Sequence, residues 1–159
     1  MTYEKGLAYG EELCGRAEYS SGEVMMRLVR RGASGDVARS VVENLRSRRF
    51  IDDGRFARAY VREKAEYSRW GRQKITAMLI EKRVGRADID EALDEIDPEV
   101  FIGSAVHVMN GKLRSLRVDI QNIDYQSKIK LIRFAAGRGF TSAEISEAIS
   151  RMEKGENND

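Results

Sequence analysis

The chain has 159 residues, 42% of them hydrophobic and 34% charged, with a net charge of +2 and one cysteine. One domain of that length buries roughly 68–70% of the surface its unfolded chain exposes, so it can hold a core of its own. This composition excludes a disordered chain and a disulfide framework, and no apolar run approaches the ~20 residues of a membrane span.

The N-terminal MTYEKGLAYGEEL lacks a signal-peptide core, and the lone Cys14 fits a reducing compartment. The expected location is cytoplasmic. A single proline, Pro98, suits a mostly helical chain. Residues 3–17 read as a first helix on Leu7, Leu13 and Cys14. Ser20 with Glu23 has capping-box spacing and opens a second helix through Val24 and Leu28, closing near Gly32. A third runs from about Gly35 to Ser47 on Val37, Val41, Val42 and Leu45.

The stretch from Phe50 to Leu79 organises the rest. Asp52 and Asp53 stand where an N-cap belongs. At ~100° per residue, Phe56, Tyr60 and Tyr67 fall on one face with Ala57 and Val61 alongside, and Arg55, Arg58, Arg62 and Arg69 fall opposite. Trp70-Gly71 breaks this fourth helix, and a fifth starts at Arg72 with Ile75, Met78 and Leu79 inward. A sixth covers about 86–96. Asp97-Pro98 starts a seventh, in which Asn110-Gly111 is a breaker signal. An eighth covers about 124–138 with Gly139 as its left-handed cap, and Thr141 with Glu144 opens a ninth.

Charge is segregated along the chain. Residues 16–86 hold fifteen Arg and three Lys against nine acids, whereas residues 87–111 hold seven acids and no Lys or Arg. Arginine outnumbers lysine twenty to eight, a bias toward bidentate recognition of carboxylate and phosphate. Val24, Leu28, Gly32, Val37 and Val41 recur as Ile75, Leu79, Arg83, Ile89 and Leu93, and again as Leu131, Ala135, Gly139, Ile145 and Ile149. A unit of about fifty residues therefore appears three times. The expected fold is all-α: three tandem three-helix repeats, about nine helices, in an elongated, curved, solenoid-like body. The repeats fall at 1–50, 51–97 and 98–153, followed by a polar tail at 154–159. In the middle repeat Arg83 replaces the capping glycine.

Three motifs carry a family resemblance. Phe50-Ile51-Asp52-Asp53-Gly54-Arg55-Phe56-Ala57 resembles the hallmark of the RecX regulators. Trp70-Gly71-Arg72-Gln73-Lys74-Ile75, with Leu79 and Lys82, resembles their next signature. Lys128 to Phe140, ending in Arg138-Gly139-Phe140, resembles the C-terminal one. The early Ser20–Leu28 stretch is similar, with Val24 in place of the usual leucine. The resemblance covers residues 3–150. It implies a cytosolic modulator of the RecA recombinase that lies in the helical groove of the RecA–DNA filament and suppresses ATP hydrolysis, strand exchange and coprotease activity. The expected partner surface is Arg55, Arg58, Arg62, Arg69, Trp70, Arg72 and Lys74, with Arg27, Arg30 and Arg31 and with Lys130, Arg133 and Arg138. Expected partners are the RecA filament and, weakly and without sequence preference, single-stranded or duplex DNA; no membrane is expected, and a monomer is.

Other readings are weaker. The helices flanking Gly32 look like a helix-turn-helix of a transcription regulator, but Gly35, Asp36 and Ala38 make a poor base-reading surface. A helical-repeat adaptor with incidental charge is the third reading. No catalytic, cofactor or metal site is expected. His107, the only histidine, sits in the apolar run 101–109, Cys14 has no second cysteine, and Asp52-Asp53 reads as a cap. Asp88, Asp90, Asp94 and Asp97 lack the glycine and terminal glutamate of a calcium loop. No phosphate-cradling GxxxxGKS occurs.

Overall fold

The computed structural model describes residues 1–155, which form nine α-helices and no strand: α1 (Tyr3–Arg16), α2 (Ser21–Arg30), α3 (Gly35–Ser47), α4 (Asp53–Arg62), α5 (Arg72–Glu81), α6 (Arg86–Asp94), α7 (Pro98–Leu116), α8 (Tyr125–Gly137) and α9 (Ser142–Glu153). Helix starts follow side-chain chemistry. Thr2, Ser34, Asp97 and Asp124 each accept a backbone N–H of the turn they precede. Ser20 with Glu23 and Thr141 with Glu144 form complete capping boxes, as their spacing predicts. The polar tail expected at 154–159 lies, from residue 156 on, outside the described residues.

The chain divides into two compact units. One comprises Met1–Ala59 with Met78–Ala92, and the other Tyr60–Ala77 with the chain from Leu93. In the first, Val24, Leu28, Ala38, Val41, Leu45 and Ile51 are buried, and Tyr3, Leu7 and Cys14 pack on them. In the second, Ala105, Met109, Leu113, Leu131, Ala135, Phe140, Ile145 and Ile149 form the core. The recurring apolar positions are therefore core positions, apart from Val37, which is only partly buried.

Two expectations change. Asn110-Gly111 does not interrupt α7, which runs unbroken to Leu116. Met109 and Leu113 on either side are buried, and that packing outweighs the ~1 kcal/mol cost of a mid-helix glycine. Tyr67 does not share the Phe56 face and is 80% exposed. After Arg62 the chain winds as a π-helical turn, Glu63–Tyr67, with Ser68 N–H donating to Glu63 O at 3.1 Å. A wider turn takes an extra residue, so every later side chain lags the α-helical phase.

One junction in each unit accounts for the repeat. In the first unit, Ser20 Oγ donates to Lys82 O at 2.5 Å, and a Cβ on Gly22 would sit 2.2 Å from Arg83 Cβ. In the second unit, Gly71 N–H donates to Arg138 O at 2.8 Å and Gln73 N–H to Gly139 O at 2.9 Å. Residues 20 and 71 are equivalent in the repeat, as are 82 and 138. The start of one module's second helix thus meets the turn after the next module's second helix, twice. The turns share their backbone too: Gly32, Arg83 and Gly139 have φ of 98°, 62° and 98°.

Candidate functional site

Asp52 and Asp53, adjacent in sequence, serve different helices of the first unit. Asp52 Oδ1 accepts Arg55 N–H at 2.9 Å and caps α4. That bond, with the Arg55, Arg58 and Arg49 guanidinium charges, holds the Asp52 carboxyl below its ordinary value. Asp53 instead accepts both the backbone N–H, at 2.7 Å, and the hydroxyl of Ser21 at the start of α2. The acidic pair is thus occupied by the fold, which makes capping the account of the hallmark motif.

Arginines of the first unit divide into used and open. Arg55 is used: its Nε donates to the Glu18 carboxylate at 3.2 Å and its Nη1 to Arg49 O at 3.3 Å. Arg58 is exposed and forms no salt bridge with a described residue. On α2 and the turn after it, Arg27, Arg30 and Arg31 are exposed; Arg27 lies over the Tyr19 ring at 4.8 Å and Arg31 over Tyr9 at 4.4 Å. The charged heads themselves stack on these rings, while both arginines remain exposed.

In the second unit Arg62 is exposed and forms no salt bridge with a described residue. Arg69 adopts φ 57° at the end of the π turn and lines an open cleft with Glu66, Glu99 and Ser104. Trp70 is half-buried between two ammonium groups, Lys64 Nζ at 4.7 Å and Lys74 Nζ at 4.2 Å from its ring. Arg72 is structural: Nε donates to Glu144 Oε2 at 2.9 Å, and its guanidinium lies over Phe101 at 4.2 Å. Lys130 and Arg133 are exposed on α8, and Arg138 lies 5.6 Å from the Phe134 ring. The structure therefore brings together Trp70 and Lys74, engages Arg55 and Arg72 internally, and leaves Arg58, Arg62, Arg30, Lys130 and Arg133 open to solvent.

Sequence reading missed Lys64, whose place beside Trp70 depends on the π turn, and it missed the turn arginines. Every non-glycine residue of positive φ among the described residues is an arginine: Arg49, Arg69, Arg83 and Arg117. Their mark in the sequence is an Arg at a helix end where glycine would be cheaper.

The acids of α6 are exposed apart from the half-buried Asp88, and Asp90 pairs with Arg86. No group of three His, Cys, Asp or Glu among the described residues is placed to hold a metal. Burial and the nearby Glu18 push the Cys14 thiol up, away from the reactive thiolate. No helix among the described residues is long and apolar enough to cross a membrane.

Residues 52–93 match the family model described as the second three-helix domain of RecX. The chain is 28% identical over 140 residues to the regulatory protein RecX of Chlorobium phaeobacteroides, covering 88% of each. It is 29% identical over 144 residues to the regulatory protein RecX of Thermus thermophilus, covering 91% of this chain and 89% of the relative. The chain is thus similar to RecX proteins over most of its length. The crystal structure of RecX from Lactobacillus salivarius shares the fold, with a TM-score of 0.85 at 18% identity over 96% of this chain and 97% of that one. A second crystal structure of regulatory protein RecX gives 0.82 at 22% identity, over 97% of this chain and 72% of the other. The RecX motifs now have local physical reasons, since the Asp pair caps two helices and the Trp-Gly and Arg-Gly-Phe segments meet backbone to backbone.

Proposed function

We propose that this chain belongs to the RecX family, binds the RecA–DNA filament in its helical groove and inhibits RecA ATPase, strand exchange and coprotease activity. It acts as a cytoplasmic monomer without catalytic chemistry or cofactor, and its three modules, 1–50, 51–97 and 98–153, make successive modest contacts. The observation that carries this reading is the set of exposed arginines that form no salt bridge with a described residue, Arg62 foremost, and Arg58, whose charge reaches only as far as the neighbouring Asp52 carboxylate. Among the described residues the fold offers these groups no intramolecular salt bridge, while Arg55 and Arg72 beside them are engaged. Open guanidinium groups match carboxylates of a protein filament and phosphates of the DNA it encloses.

Inhibition then needs no bond-making. A body contacting two protomers biases their mutual orientation, and an ATP site shared across that junction loses its competent geometry. Repetition favours the assembled filament over free protomers through effective concentration. The test is RecA ATPase on single-stranded DNA with Arg58 and Arg62 both changed to Glu. Inhibition should fall by an order of magnitude or more, and undiminished inhibition removes these arginines from the mechanism.

A further inference from the structure

A cavity of about 320 Å³ opens between α7 and α8 in the second unit, lined by His107, Gly111, Lys112, Arg114, Phe134 and Arg138 among others. No carboxylate lines it. Three cationic side chains converge there: Lys112, whose ammonium lies 5.1 Å from the Phe134 ring; Arg138, over the same ring; and Arg114, which is exposed and has no salt bridge with a described residue. Arg138 Nε is buried without a hydrogen-bond partner. Leaving a charged donor buried and unsatisfied is costly, and a native site tolerates it where a ligand supplies the acceptor.

The flanking helices provide no counter-charge. No Asp or Glu occurs from Val100 to Val118 or from Tyr125 to Phe140. The acids just outside are spoken for: Glu99 takes the Arg151 guanidinium at 2.7 and 2.8 Å, Asp119 accepts Gln121 N–H at 3.0 Å, and Asp124 accepts Ser127 N–H at 2.7 Å. The internal rivals are the C-terminal ends of α7, with Arg114 in its last turn, and of α8, capped by Arg138. Each helix end carries roughly half a negative charge, and the two together are too little for three cations.

We propose that this cavity binds a backbone phosphate of a nucleic-acid strand, with Lys112, Arg114 and Arg138 as its donors and Phe134 as an apolar floor beside the sugar. The size suits one phosphodiester and its neighbouring sugar, and the guanidinium groups present paired N–H donors to its two free oxygens. The proposal rests on the reading that the chain works against a DNA-bearing filament, and it assigns the DNA side of that contact to α7 and α8.

His107 is the sole histidine and lines the cavity, so its imidazole proton resonances report occupancy directly. Titration with end-labelled oligothymidylate should shift those resonances. The double variant Lys112→Ala/Arg114→Ala should bind the oligonucleotide about tenfold or more weakly. Its salt dependence should become shallower by about 0.7 in the log–log slope, the signature of one lost phosphate contact. Arg114→Gln alone, at an exposed position, should shift both in the same direction and covers the case in which the double variant does not fold. Unchanged affinity and slope, or an unmoved His107 at saturating oligonucleotide, overturns the proposal. So does inorganic phosphate that saturates the His107 shift at oligonucleotide-like concentrations without weakening oligonucleotide binding, which assigns the cavity to free phosphate. RecA ATPase inhibition, measured in parallel with the Arg58/Arg62 double variant, fails or holds independently of these outcomes.

Discussion

Asp52 shows how one side chain ties local structure to solution behaviour. Its carboxylate accepts the Arg55 N–H, and its pKa lies below the ordinary 3.8 for that reason first and for the neighbouring guanidinium charges second. A depressed carboxyl contributes stability above the unfolded pKa and loses it as pH falls through the folded one. Asp52→Ala should therefore destabilise the protein by about 1 kcal/mol at pH 7. The difference from the parent should shrink as the pH drops below 3.8, as read by urea denaturation across pH. Arg83 presents the converse. It holds φ 62° at the turn where the other two modules place glycine. An L-residue there costs roughly 1–2 kcal/mol, part of which glycine returns as chain entropy. Arg83→Gly should thus raise stability by about 0.5–1 kcal/mol. A parent that proves the more stable would mean the Arg83 side chain packs better than its exposure suggests. That four such positions all carry arginine fits a surface kept cationic at some cost to folding.

At the scale of elements, the junction in the second unit leaves no room for a side chain. A Cβ on Gly71 would lie 2.2 Å from Gly139 C and 2.3 Å from Phe140 N, both backbone atoms that cannot step aside. Gly71→Ala must therefore part the start of α5 from the turn before α9 and break two backbone hydrogen bonds. A loss of about 3 kcal/mol or more is expected, from overpacking together with unsatisfied amides. Thermal denaturation compared with Gly15→Ala, a site with nothing within 4 Å, makes the measurement specific to the junction. The π turn before it has a comparable role. Its extra residue carries Tyr67 out to solvent and places Lys64 against Trp70. Ser104 of α7 donates to Ala65 O at 3.5 Å, a contact to the backbone of that turn. Helical periodicity alone put Tyr67 in the core, because a period assumes an uninterrupted α-helix.

For the molecule as a whole, a net charge of +2 says little, since the cations and acids occupy different stretches. Binding to DNA should be weak, blind to sequence and steep in salt. A duplex and its scrambled counterpart should bind within a factor of about two, with affinity falling by about 10²-fold or more between low and high salt if several phosphates are met. Preference for one duplex by orders of magnitude would instead support a transcription regulator. Such a result would be hard to reconcile with the start of α3, where Asp36 is paired with Arg39 rather than open to a base.

The composition, caps and apolar spacing of the chain determined that it is all-helical, where its helices begin and which residues fill its cores. These features depend on neighbours within a few positions, and the code for them is local. The three-fold recurrence and the RecX motifs were legible for the same reason. Tertiary structure alone decided which arginines are free. Whether Arg55 or Arg58 meets a carboxylate depends on where Glu18, thirty-seven residues from Arg55, comes to rest. It alone set Arg72 on Glu144, turned Tyr67 outward and gathered Lys112, Arg114 and Arg138 around one cavity. Electrostatic partners act through space over a few ångströms, and no period in the sequence records that distance.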